Sequence, residues 1–214
     1  MIAGPPCETW SIARWMKGGP RPLRTEEQPF GRPGLSAKEQ VQVQIGTQLL
    51  LATLELMHIA VTSNIAFILE HPACLSRHAE KKAASIFKLA VTKLIAEHYN
   101  VAMHLVFRGL FGARSPKPTG LLCACLPTMA DRMKEHGTFA MPKQSSIGKL
   151  EGGEYATAQL KEYPPALCHG MVDAICDSLE EADFELSEDA TADRLDSLVM
   201  PDDFYWDMGA DFWG

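Results

Sequence analysis

Between residues 36 and 60, apolar side chains return every three or four positions: Val41, Ile45, Leu49, Ala52, Leu56 and Ile59. That spacing predicts a long amphipathic helix with this stripe buried. Its start is marked by Ser36-Ala37-Lys38-Glu39, a capping-box pattern that satisfies orphan backbone donors. Ile65 to Leu69 is a continuous apolar run, the signature of a strand buried on both faces as in parallel sheets. It stops at Glu70-His71-Pro72, where proline ends the ladder. A second helix is expected from about Arg77 to His98, with Ala83, Phe87, Ala90 and Leu94 on its buried face. Val101 to Phe107 alternates as a strand, and Gly120 to Leu126 reads as another. Pro164-Pro165 opens a last helix running to about Leu179. Residues 17–35, rich in glycine and proline, read as loop, as do 109–119 and 127–155. Alternating strands and helices predict an α/β fold with a mostly parallel sheet.

Composition leaves that picture standing, and charge divides it. The chain has 214 residues, 46% hydrophobic and 22% charged, values of an ordinary globular domain that can bury a core without staples. The formal charge of -7 argues at first against a nucleic-acid partner. Residues 180–214, however, hold twelve acids and one base, Arg194, which leaves fifteen acids and nineteen bases in residues 1–179. The expected organisation is therefore a weakly basic domain over 1–179 and an acidic tail over 180–214. The tail ends in Phe204-Tyr205-Trp206 and Phe212-Trp213, and acidic segments interleaved with apolar residues often stay disordered until they meet a partner. Six cysteines are too sparse for a disulfide scaffold, no secretory signal is visible at the start, and no run of about eighteen apolar residues predicts a membrane span. The expected compartment is intracellular.

Two positions carry candidate chemistry. Cys7 follows the rigid turn Gly4-Pro5-Pro6 just past a short apolar start, a shaped loop on which a thiol acts as nucleophile once its proton is removed. The competing reading of Cys7 is a small packing residue. Glu70 ends the apolar strand, where open α/β sheets gather their ligand groups; its competing role is capping a nearby helix. A Cys7–His71 dyad is conceivable but lacks a Gly-x-Cys-x-Gly elbow. Cys123 and Cys125 have no CxxC or spaced histidine pair beside them to make a zinc site.

Four segments together resemble the DNA (cytosine-5) methyltransferases. Met-Ile-Ala-Gly-Pro-Pro-Cys-Glu-Thr-Trp-Ser over 1–11 is similar to the family's catalytic motif. Phe67 to Pro72 is similar to the strand ending in Glu-Asn-Val or Glu-Asn-Pro, with His71 in place of Asn. Phe111 to Thr119 is similar to Tyr-Gly-Val-Pro-Gln-x-Arg-x-Arg, and Tyr163-Pro164-Pro165 with its helix to the last motif. The four follow the family's order over residues 1–178. The resemblance implies a Rossmann-like, S-adenosylmethionine-dependent methyltransferase fold lacking its first strands, since no strand followed by Phe-x-Gly-x-Gly is present. It implies that Cys7 adds to carbon 6 of a flipped-out cytosine while Glu70 holds the ring at N3 and its amino group. Lys117 and Arg114 would supply basic contacts to the target, Pro5 and Pro6 would border S-adenosylmethionine, and Ser11 and Arg14 would meet the DNA backbone. Residues 127–155 would be a reduced target-recognition region. The implied partners are DNA and a protein that docks the tail or completes the fold, without a membrane, in the nucleus if the cell is eukaryotic. The alternative reading is a non-catalytic remnant that binds DNA or protein.

Overall fold

The computed structural model describes residues 1–75, 82–99, 101–143 and 162–181. Those residues form one unit, Met1–Glu181; the tail from residue 182 and residues 144–155 of the expected target-recognition region lie outside them. Among the described residues there are four strands and four α-helices. In chain order they are β1 (Ile2–Ala3), α1 (Ala37–Thr62), β2 (Phe67–Pro72), α2 (Ala90–His98), β3 (Ala102–Phe107), β4 (Pro118–Ala124), α3 (Met129–His136) and α4 (Pro165–Glu181).

The sheet order is β1-β2-β4-β3. β1 pairs parallel with β2, but β4 lies antiparallel between β2 and β3. Two of the three pairings are thus antiparallel, which corrects the expectation of a mostly parallel sheet. The reason is the connection: β3 ends at Phe107 and β4 starts at Pro118, a link too short for the crossover that a parallel return needs. Three strands still run the same way, with β4 reversed among them. The fold is mixed α/β.

Helices cover both faces of this sheet. On one side Phe67 and Leu69 of β2 and Leu122 and Ala124 of β4 pack on α1 and α2 through Leu50, Leu54, Met57 and Ile95. On the other side Ile68, Leu121 and Cys123 pack on α3 and α4 through Met129, Met133, Leu167 and Met171. Successive strand residues point to opposite faces, so a continuous apolar β2 fits a sheet packed on both sides.

Three elements depart from the pattern reading. The stripe Val41, Ile45, Leu49, Leu56 and Ile59 is exposed, and α1 buries Val43, Leu50, Leu54 and Met57 instead. Both faces of α1 are apolar, so periodicity marks a helix without telling which face the core takes. The second helix begins only at Ala90, because Ala83, Ala84, Ser85 and Ile86 are buried in succession, which a single helical face cannot do. Its expected face is also displaced: Ala90 is exposed and Leu94 is 61% exposed, whereas Thr92 and Ile95 are buried. The stretch from 127, expected as loop, contains α3, whose Met129 and Met133 reach the core one turn apart. α3 is fastened to α4 by Asp177, which accepts from Arg132 Nε at 2.8 Å, Arg132 Nη2 at 2.7 Å and Thr128 Oγ1 at 2.7 Å.

By length and composition alone α1 also passes as a membrane span, with a mean hydropathy of 1.4 over an eighteen-residue window, of which 39% is buried. Core helices pass the same test, and the inner face of α1 belongs to the core described above.

Candidate functional site

Where β1 and β2 run out side by side, three loops converge. Ile2 and Ala3 pair with Ile68 and Leu69, so Gly4 leaves the sheet beside Glu70. A Cβ on Gly4 would stand 3.1 Å from Tyr163 Oη and 3.5 Å from Glu70 Oε2. A side chain there would wedge the Gly4–Cys7 loop away from both groups. Pro5 is buried and Pro6 and Cys7 are half-buried. The Cys7 carbonyl accepts from Trp10 N at 3.0 Å and Ser11 N at 2.9 Å, which folds the loop back on itself.

A buried arginine holds this loop against α1. Arg24 is 1% exposed. Its Nε donates to Thr9 Oγ1 at 2.9 Å, its Nη1 to Thr47 Oγ1 at 3.0 Å and to the Pro29 carbonyl at 2.6 Å, and its Nη2 to the Val43 carbonyl at 2.6 Å. The guanidinium also stacks 3.8 Å from the Trp10 ring centroid. Burial, with Arg14 adding repulsion, lowers its pKa to about 9. Gly46 makes room for the cluster, since a Cβ there would meet Thr9 Oγ1 at 3.0 Å and Arg24 Nη2 at 3.2 Å.

Glu70 sits on the side of β2 that faces α4 and is 7% exposed. Both of its oxygens are engaged. Oε1 accepts from Arg108 Nη2 at 2.6 Å and Oε2 from Tyr163 Oη at 2.8 Å. Arg108, 2% exposed, also donates to Thr119 Oγ1 at 3.1 Å and to the Glu162 carbonyl at 3.4 Å, and it lies 4.4 Å over the Tyr163 ring. Burial and the Glu70 carboxylate together push the Tyr163 hydroxyl well above its ordinary range, so it stays a donor.

Cys7 and Lys117 feel each other and Glu70. Burial raises the Cys7 thiol, Lys117 lowers it, and Glu70 and Glu8 raise it further. Burial and then Arg108 lower the Lys117 ammonium, while Glu70 and Cys7 raise it. Lys117 is also held at φ +24°, a conformation that costs a non-glycine residue free energy and recurs at functional sites. Cys7, Glu70 and Lys117 are thus brought together. Arg114 is exposed and is not among the charges acting on Cys7.

Ser11 and Arg14 lie one turn beyond Cys7. Ser11 Oγ accepts from Ala13 N at 3.2 Å, and Arg14 Nη1 donates to the Arg21 carbonyl at 2.7 Å. Both shape the loop and remain half-buried. His71 points to the α1–α2 side, edge-on to Phe87 at 6.1 Å, and burial lowers its pKa to about 4. Cys123 is core, its thiol pushed up to about 12 by burial, and Cys125 Sγ donates to Asn64 Oδ1 at 3.4 Å. No group of three or more metal-ligating side chains occurs among the described residues.

Arg108 and Thr119 are the members that sequence reasoning passed over, and Tyr163 entered it only as part of a motif. Arg108 carried the same signal as Glu70, a charged residue directly after an apolar strand. Compared with protein-family models, with curated proteins and with solved structures, the chain finds no match.

Proposed function

We propose that this chain is a DNA (cytosine-5) methyltransferase-like protein whose site acts on a cytosine ring. The supporting observation is the convergence of Cys7, Glu70 and Lys117 at the adjoining ends of β1, β2 and β4. In this reading the Cys7 proton passes to Glu70 as the sulfur bonds to carbon 6 of the base. The electron pair of the ring double bond moves toward carbon 5, while Glu70 donates that proton to N3 and accepts from the exocyclic amino group with its other oxygen. Lys117 steadies the thiolate, because a cation beside a thiol favours its charged form.

Two features set the conditions for that chemistry. The Cys7 thiol is raised rather than lowered, so activation awaits a substrate that brings its own dipoles or displaces Glu70. Glu70 must also exchange Arg108 or Tyr163 for the base. Arg108 remains close enough to take over the carbonyl side of a ring, and its fork of donors suits that task.

S-adenosylmethionine is the proposed methyl donor, but the described residues do not form a seat for it. Pro5 and Pro6 offer no backbone N–H, Pro5 is buried, and the carboxylate at this end of the sheet, Glu70, is already committed to Arg108 and Tyr163. No step is therefore assigned to the donor.

The test is trapping on DNA that contains 5-fluorocytosine, with and without S-adenosylmethionine. A covalent adduct that vanishes in Cys7→Ala is the expected result. No adduct, together with no cofactor binding by calorimetry, refutes the enzyme reading. The locked Glu70–Arg108 pair favours one alternative, a non-catalytic module that binds DNA or protein. In that case DNA affinity without adduct remains, falling steeply with salt as phosphate contacts require.

A further inference from the structure

Among the described residues, the outer face of α1 is an extended apolar surface that the candidate site does not use. Val41, Ile45, Leu49, Leu56 and Ile59 are between 41% and 52% exposed, and Ala52 is exposed among them. From Gln40 to Leu54 the helix carries no charged side chain. The opposite face is already consumed by the core through Val43, Leu50, Leu54 and Met57. A helix that is apolar on both faces is stable in water only when both are covered, and contiguous apolar patches of this kind mark contact surfaces.

The pattern of the stripe identifies its cover. From Ile45 the steps are four, three, four and three, the seam spacing of helices that pack lengthwise on one another. The residues along it read Ile45, Leu49, Ala52, Leu56, Ile59, the same series in either direction. A two-fold contact requires a patch that maps onto itself, and an antiparallel helix pair centred on Ala52 does so. Ile45 then meets Ile59 of the second copy, Leu49 meets Leu56, and the two Ala52 residues face each other, small enough for close approach of the axes. Glu55 falls opposite Gln48, so no like charges meet. We infer that α1 is the interface of an antiparallel homodimer of this chain, with the seam Ile45–Leu49–Ala52–Leu56–Ile59 packed on its own copy.

Sedimentation equilibrium of the full chain, from micromolar to submillimolar concentration, tests this. The expected mass is twice 23.5 kDa, with Leu49→Gln/Leu56→Gln reverting to the single-chain mass at unchanged far-ultraviolet dichroism. Ala52→Arg is the second variant. It is exposed in the monomer, so it spares the fold while setting two cations on the two-fold axis, and it too should yield monomer. A photocrosslinking residue at position 48 should join the peptide that carries Glu55. A single-chain mass for the unaltered chain at the highest concentration overturns the inference, whether or not the chain then binds phosphatidylcholine vesicles. A dimer that survives both variants overturns it as well, because the contact then lies elsewhere.

Discussion

At the scale of single residues, the Glu70–Arg108 pair decides what the site can do. Both partners are almost wholly buried, 8% and 2% exposed at the side chain, so each needs the other's charge. Breaking such a pair on one side typically costs about 3–5 kcal/mol, while replacing both with apolar groups is often near neutral. Arg108→Met should therefore lower the unfolding free energy by about that amount, and adding Glu70→Leu should restore most of it. Urea unfolding of the four members of the cycle measures the coupling; strictly additive losses would show that the pair contributes nothing specific. His71 makes a second prediction. Its folded pKa, about 4 against an ordinary 6.5, lies below the unfolded value. The unfolded chain therefore binds the proton first, and stability falls as pH drops from 6.5 towards 4. The loss is about 3 kcal/mol at full depth, and His71→Leu should flatten this limb of the stability–pH curve. A slope unchanged in that variant would assign the acid sensitivity to other groups. Cys7 and Glu70 were legible in the sequence because a shaped loop and a charged strand end are unusual places for those side chains. The choice between Lys117 and Arg114 was not, since only the turn into β4 determines which cation faces inward.

At the scale of elements, α1 shows where local and tertiary terms compete. Its start follows from four residues. Ser36 Oγ accepts from Glu39 N at 3.4 Å, and Glu39 Oε2 accepts from Ser36 N at 2.8 Å. Ser36→Ala should cost about 1 kcal/mol. Gly46, mid-helix, is unfavourable by about 1 kcal/mol relative to alanine on propensity alone. Gly46→Ala nevertheless should destabilise, because its methyl would press on Thr9 and on an Arg24 held by four hydrogen bonds. A rise in thermal midpoint for this variant would mean that the Arg24 cluster yields easily. The same cluster explains why the pattern of α1 does not mark its inner face. Thr47 and Gly46 look like polar or weak helix positions in sequence, yet they are where Arg24 and Thr9 fasten the Cys7 loop.

At the scale of the whole molecule, charge separates a weakly basic body from an acidic end. If nucleic acid is the partner, the acids beyond residue 181 repel it through solvent over about a Debye length, roughly 10 Å at 0.1 M salt. A chain ending at Glu181 should then bind duplex DNA more tightly than the full chain at low salt. The difference should shrink as salt rises. Fluorescence anisotropy across a salt series reads both slopes, and equal affinities at low salt would remove the tail from any electrostatic role.

Read alone, the sequence determined the local features. The capping box at Ser36, the buried run of β2 ending at Glu70-His71-Pro72, the strand over 102–107 and the helix opened by Pro165 all follow from patterns a few residues long. Short-range sterics and hydrogen bonding decide such features, and those are written in neighbouring residues. Only the tertiary structure decided which apolar face of α1 meets the sheet, that β4 enters between β2 and β3 reversed, and that Arg108 and Tyr163 close on Glu70. These are choices among contacts between residues 38 to 93 positions apart. Packing both faces of one sheet selects among them, and no local pattern carries that information.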